Sequence, residues 1–233
     1  MTFEHLFNFR DLGGPQTDGG GRVQPRRLYR SESVAYLSEA DAARLVDEFG
    51  LATVVDLRGE KEVARWGRGP LGARPVRYVH VPISDVIRGE GNMSSYYLDV
   101  LTRRGGDVAG LLRRLLEPGA LPAVVHCEAG CDRTGVVAAV ALGLVGVPDE
   151  AIIHDYDLTQ PAFRAMNARW KAGYLKHGRP PEKWVGETWA ERTDAMAHTI
   201  AAVRERWGGW SGWAASHGFD DDERKQLRKL LVD

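Results

Sequence analysis

The chain has 233 residues, 43% of them hydrophobic and 27% charged, with a formal net charge of -1. That length suits one globular domain with a sizeable core, and the balance is ordinary for a soluble protein. It excludes a global basic field for nucleic acid and an acidic disordered tail, so any anion site must be local.

The first predicted feature is a turn-rich segment, Asn8-Phe9-Arg10-Asp11-Leu12-Gly13-Gly14, whose loop continues through Asp18 to Gly21. Leu28 to Arg30 can form a short strand. Ser38 is a natural N-cap, with Asp41 three residues on, and Leu45, Val46 and Phe49 supply an apolar helical face that Gly50 ends. Leu51 to Leu57 reads as a buried strand and Val76 to Val81 as an alternating one. Val108 to Leu116 is helical up to Pro118-Gly119. Ala123 to His126 is a third buried strand, Arg133 to Val145 an apolar helix, and Pro148-Asp149 opens a helix through Asp157. From Thr159 to Trp184 the pattern loosens into one or two surface helices interrupted by Pro161, Gly173, Gly178 and Pro180-Pro181. Glu187 to Arg206 reads as one longer helix, Gly208-Gly209 as a break, and Asp220 to Leu231 as the last helix. Strands alternating with helices give an α/β class with a mainly parallel central sheet. A single domain spanning 1–233, with a surface insertion at 159–184, is the expected organisation.

Only two cysteines occur, Cys127 and Cys131. They are too few and too close for a disulfide scaffold, and point to a reducing, cytoplasmic setting. Met1 to Arg10 lacks the pattern of a signal peptide. The longest apolar run, Gly135 to Val147, is shorter than the about 20 residues a bilayer span needs, so no membrane span is expected.

The chemistry concentrates in His126-Cys127-Glu128-Ala129-Gly130-Cys131-Asp132-Arg133-Thr134-Gly135, between a strand and a helix start. Five residues separate Cys127 from Arg133. The amides of Glu128, Ala129, Gly130, Cys131, Asp132 and Arg133 can turn inward, and the helix N-terminus adds positive potential, which makes a cradle for a tetrahedral dianion. Cys127 is the nucleophile, favoured as thiolate by the helix dipole, the amides and Arg133. Arg133 can grip two phosphate oxygens in a fork. Thr134 can donate to the thiolate, His126 can fix the loop, and Gly130 allows a positive φ or a close approach.

The Cys-x5-Arg-Thr spacing resembles the signature of the protein tyrosine phosphatase superfamily. Asn-Phe-Arg-Asp-Leu-Gly-Gly at 8–14, Leu-Tyr-Arg-Ser at 28–31, Val-Asp-Leu-Arg at 55–58 and Asp-Tyr-Asp-Leu-Thr at 155–159 are similar to segments of the bacterial tyrosine/serine phosphatase family, in that family's order. The resemblance implies a phosphatase fold with a parallel core, no metal or other cofactor, and a helical lid, here the 159–184 insertion. It also implies Asp132 as the residue serving the leaving group and the attacking water. Asp85 and Asp99, arriving from a neighbouring loop, and Asp56, at a strand end, are the alternatives for that acid–base role, Asp56 equally as a residue that orders the loop. The family's loop lysine is replaced by Cys131, which weakens a preference for highly charged phosphoinositides. It also leaves two thiols four positions apart, where a Cys127–Cys131 disulfide would protect the nucleophile.

Blander roles compete. A zinc site from His126, Cys127 and Cys131 lacks a fourth ligand. Arg10, Asp11 and Arg30 fit a salt-bridge set beneath the loop better than substrate contacts. Arg58 and Lys61 either flank the site or form a solvated helix start. Trp207, Trp210 and Trp213, with Trp184 and Trp189, suit packing between the late helices, and Asp220 to Glu223 helix-start charge. The expected partner is a phosphorylated protein or a small-molecule phosphate ester. A phosphate-binding pseudoenzyme or a sulfurtransferase fits the loop less well.

Overall fold

The structure is a computed structural model that describes residue 3 and residues 5–83, 92–176 and 189–233. Five strands form one sheet in the order β1-β2-β5-β3-β4: β1 Arg10–Asp11, β2 Leu28–Ser31, β3 Thr53–Asp56, β4 Arg77–His80 and β5 Ala123–His126. β1 runs antiparallel to β2, and the other neighbours are parallel, with Val55 and Arg30 both opposite Val125. β2, β3 and β5 are buried on both faces, as interior strands of a covered parallel sheet must be.

Alternation along these strands divides the interior. Tyr29, Val54 and Val124 point into a core with Phe9, Leu45 and Phe49, closed by α1 (Glu39–Asp47). Val55 and Val125 point the other way, into a larger core. That larger layer is built from α3 (Met93–Arg103), α4 (Gly105–Leu116), α5 (Asp132–Leu144), α6 (Asp149–Asp157), α8 (Ala195–Trp207), α9 (Trp210–Ser216) and α10 (Asp221–Leu231). α2 (Glu60–Trp66) follows β3, and α7 (Gln160–Lys176) follows α6. α5 is apolar around its circumference because the sheet lies on one side and helices on the others.

Ser38 caps α1 through a bond from the Asp41 amide, as its sequence predicts. α3 is an element the expectation above lacks. Asn92 caps it, and Met93, Tyr97, Val100 and Leu101 form its buried stripe. The expected helix 187–206 is divided: Trp189–Arg192 forms a 3-10 turn, and Asp194 takes a positive φ of 59° before α8 begins. α9 is also additional. It seats Trp210 on α5, where a Cβ at Gly143 would lie 2.2 Å from the indole. The 159–184 insertion corresponds to α7 as far as Lys176, and the remainder, with Trp184, lies outside the described residues. Among the described residues, no helix is long and apolar enough to cross a membrane.

Candidate active site

β5 delivers Cys127 to the sheet's carboxyl edge, and α5 begins at Asp132. The loop's carbonyls are tied outward, one after another. The Cys127 carbonyl meets His126 Nδ1 at 3.1 Å, and the Glu128 carbonyl accepts from the Ser33 amide at 3.0 Å. The Ala129 carbonyl accepts from Asn8 Nδ2 at 2.9 Å, and the Gly130 carbonyl from Arg30 at 2.7 Å. With the carbonyls held outward, the amides between them are left to converge. Among the described residues none of the amides from Glu128 to Arg133 has a protein acceptor. Gly130 is required here: its φ is 65°, and a Cβ would sit 2.3 Å from the Ser31 carbonyl oxygen.

Cys127 lies buried at the base of this loop. Arg133 donates to Glu62 through both terminal nitrogens, at 2.6 and 2.9 Å. Burial works against the guanidinium's charge, but Glu62 and Cys127 overcome it and its pKa is raised. Glu62 also accepts from the Gly59 amide at 2.8 Å, so one carboxylate caps α2 and orients the arginine. The reading of the sequence did not single out Glu62. The signal was there, an acidic residue at the third position of a helix after Val-Asp-Leu-Arg.

Asp132 is gripped by Arg192, whose Nε and terminal nitrogen both donate at 3.0 Å, and by the Tyr97 hydroxyl at 2.5 Å. Burial alone would raise its pKa, but Arg192 and Tyr97 reverse that and hold the carboxyl below its ordinary value. It is therefore ionised near neutral pH in this arrangement, which does not suit a leaving-group acid. Tyr97 also bonds Tyr156 at 2.6 Å, and the Cys131 thiol reaches Tyr156 at 4.0 Å. Cys131 is fully buried, and burial pushes its thiol well above the usual range, against the thiolate that disulfide formation needs. Both cysteines are free.

Asp56 is fully buried, ion-paired with Arg58 at 2.7 Å and bonded by the Tyr78 hydroxyl at 2.8 Å. Burial opposes its charge, yet Arg58 and His126 hold its carboxyl down to about 2. It braces the strand end and carries no proton to donate. Arg58 is likewise buried and is no solvated helix-start residue, whereas Lys61 is exposed in the first turn of α2. His126 is neutral, since burial lowers it to about 4. Its Nδ1 therefore carries the proton that the Cys127 carbonyl accepts. Among the described residues Thr134 Oγ1 is buried without a partner, so the expected bond to the Cys127 sulfur is not made in this arrangement. Asp99 stays about half exposed and pairs with Arg103 on its own helix at 3.7 Å. Asp85 lies outside the described residues.

Beneath the loop, Arg10 and Arg30 converge on Asp155 at 2.8 and 2.5 Å. Asp11 is not in that set. It accepts from the Gly13 and Arg26 amides and shapes the turn. Trp189 also departs from expectation: it packs beside Ala129 on Phe163 and Met166, near the loop, with its ring 5.4 Å from Tyr156. Tyr96, at the start of α3, is a further neighbour. Burial pushes its phenol up to about 12, and the charges around it are Arg133, Asp132, Cys127 and Glu62. Among the described residues no group of three or more His, Cys, Asp or Glu side chains could hold a metal.

The chain is 30% identical to the triple specificity protein phosphatase PtpB of Mycobacterium tuberculosis, over 97% of this chain and 96% of that one. A Cupriavidus necator relative is 35% identical over 170 residues, which cover 67% of this chain and 61% of the relative's length. Among solved structures, the catalytic domain of the phosphatase SIW14 from S. cerevisiae aligns with a TM-score of 0.44 and 16% identity, covering 76% of this chain and 96% of that one. The tyrosine phosphatase family matches residues 1–233, and this chain belongs to it.

Proposed function

We propose that the protein hydrolyses phosphate monoesters through a phosphocysteine on Cys127, with protein phosphotyrosine as its main substrate and phosphoserine or phosphothreonine secondary. The observation that carries this reading is the loop above Cys127, its carbonyls tied outward and its amides left without protein acceptors. A phosphate's three non-bridging oxygens would take those amides and Arg133, which Glu62 already aligns. The Cys127 thiolate attacks phosphorus and the phosphorus–ester oxygen bond breaks, so that a tyrosyl ester's oxygen leaves as phenoxide and takes its proton from solvent. In the second step water attacks the phosphocysteine. Asp132, kept ionised by Arg192, takes the water's proton, and the thiolate leaves. Thr134, whose hydroxyl has no partner among the described residues, would donate to that departing sulfur. The names of relatives such as PtpB support a protein substrate. α7 would act as a lid: Phe163 and Met166 pack beside Ala129, and Arg169 lies 4.1 Å over the Tyr36 ring. Two free buried thiols are consistent with a reducing, cytoplasmic setting.

The test is hydrolysis of an aryl phosphate under reducing conditions with a chelator present. Wild type should turn over and Cys127→Ser should not. Turnover surviving in Cys127→Ser would end the reading. A panel of phosphopeptides against sugar and nucleotide phosphates then decides the substrate. A preference for the metabolites would replace the protein substrate and keep the chemistry.

A further inference from the structure

Buried and half-buried carboxyls surround the cradle, and nearly all have an arginine. Asp56 pairs with Arg58 at 2.7 Å, Glu62 with Arg133 at 2.6 Å and Asp132 with Arg192 at 3.0 Å. Asp155 holds Arg10 and Arg30, and Glu32, one shell out, pairs with Arg169. Glu128, the residue after the nucleophile, is the exception. Its Oε1 accepts from the Tyr36 hydroxyl, and its Oε2 is buried with no partner among the described residues. The charged groups facing it are Arg58 from the segment after β3, Glu62 from α2 and Arg133 from α5. Both arginines are already committed to other carboxylates. Tyr36 lies between Glu128 and Arg169 of α7, which is itself bound to Glu32 beyond β2.

A buried carboxyl without a hydrogen-bonded cation favours its neutral form, because ionisation would strand a charge in a poorly solvated place. Here that charge would stand one residue from Cys127 and close to an incoming dianion. It would also compete with phosphate for Arg133. We propose that Glu128 is a positioning residue carried as a neutral carboxylic acid while the site accepts phosphate, and that its ionisation weakens binding of the dianion. The proposal rests on the reading that this loop binds phosphate. Burial raises the Glu128 carboxyl, against the Tyr36 bond and Arg58, which favour its charge. Among the described residues, no other carboxyl around the cradle combines a place beside the nucleophile with a buried oxygen that lacks a cationic partner.

The experiment has two parts. In the first, kcat and KM for an aryl phosphate are followed against pH in wild type, Glu128→Gln and Tyr36→Phe. Wild-type kcat/KM should fall by about tenfold per pH unit above the Glu128 titration, mainly through KM. In Glu128→Gln that limb should move up by at least about one pH unit, since the amide cannot ionise. Tyr36→Phe removes a bond that favours the carboxylate, so it should also move the limb up. A limb at the same pH in all three proteins overturns the proposal.

The second part needs no turnover. Infrared spectra of Cys127→Ser protein, with and without Glu128→Gln, should differ at neutral pH by a protonated-carboxyl band. Inorganic phosphate affinity should fall with rising pH only where Glu128 is present. A missing band, or the same pH dependence in both proteins, overturns the role of Glu128 even in an enzyme that turns over. A silent wild type that shows both signals would instead fail the functional reading and leave Glu128 as assigned.

Discussion

Arg133 is held by two bonds to Glu62, and that carboxylate is itself pinned by the Gly59 amide. The arginine's plane is thus set before any phosphate arrives, so fewer rotamers are lost on binding. Glu62→Gln should keep the fold but lower kcat/KM by about 10- to 100-fold, the scale of a misplaced catalytic group. Steady-state kinetics with an aryl phosphate would read this, and an unchanged kcat/KM would show that Arg133 is aligned by something else. Cys127, Arg133, Gly130 and His126 were legible in the sequence because a strand, a short loop and a helix start leave few ways to bind an anion. The partners were harder to read. Glu62, Arg192 and Tyr97 come from other elements, and no local spacing ties Arg192 to Asp132, 60 positions earlier. The expectation that Asp132 serves both the leaving group and the attacking water could not foresee an arginine supplied from the 3-10 turn at Trp189–Arg192.

At the scale of elements, the β5–loop–α5 unit is fixed by its contact with the end of β2. Gly130 packs against the Ser31 carbonyl, and Ser33 and Arg30 bind the loop's own carbonyls. Gly130→Ala combines a positive φ of 65° with a backbone clash at 2.3 Å. It should lower stability by about 1–3 kcal/mol, the scale of local backbone strain, and reduce activity further by pushing the loop off β2. Urea unfolding together with kinetics would check it. A variant of full stability and activity would mean the loop tolerates another path. β2, β3 and β5 follow from their buried runs, β4 from its alternation, α1 and α10 from their caps, and α5 from its long apolar run, whereas β1 lies in the segment read as turns, because two residues are too few to carry a strand pattern. α3 was missed although its buried stripe is regular, because Ser94, Ser95 and two tyrosines dilute the apolar signal. The break at Asp194 was missed because aspartate seldom adopts a positive φ.

Across the whole molecule, Asp155 joins the N-terminal strand to the loop. It binds Arg10 and Arg30 at 2.8 and 2.5 Å, and Arg30 in turn holds the Gly130 carbonyl. Removing that carboxylate leaves two arginines facing each other in a largely buried place. Asp155→Asn should therefore cost about 3–5 kcal/mol at neutral pH. Burial opposes the Asp155 charge, but Arg30 and Arg10 dominate and its pKa is depressed. A depressed carboxylate adds stability above its unfolded pKa and loses it as pH falls through the folded one. The gap between wild type and Asp155→Asn in urea unfolding should thus be full at neutral pH and shrink on acidification. A gap independent of pH would assign the loss to packing. Asp56, held down to about 2, keeps its share of this acid-sensitive stability down to very low pH.

The central claim is a covalent phosphate on Cys127, and it is tested most directly by acid-quenching the enzyme during turnover of a phosphotyrosyl peptide and mapping the modified residue by mass spectrometry. The account predicts phosphate on Cys127 alone, absent in Cys127→Ser. It also predicts more of it in Asp132→Asn, where the base for the second step is lost. Turnover with no phosphocysteine, or phosphate carried by another residue, would contradict it.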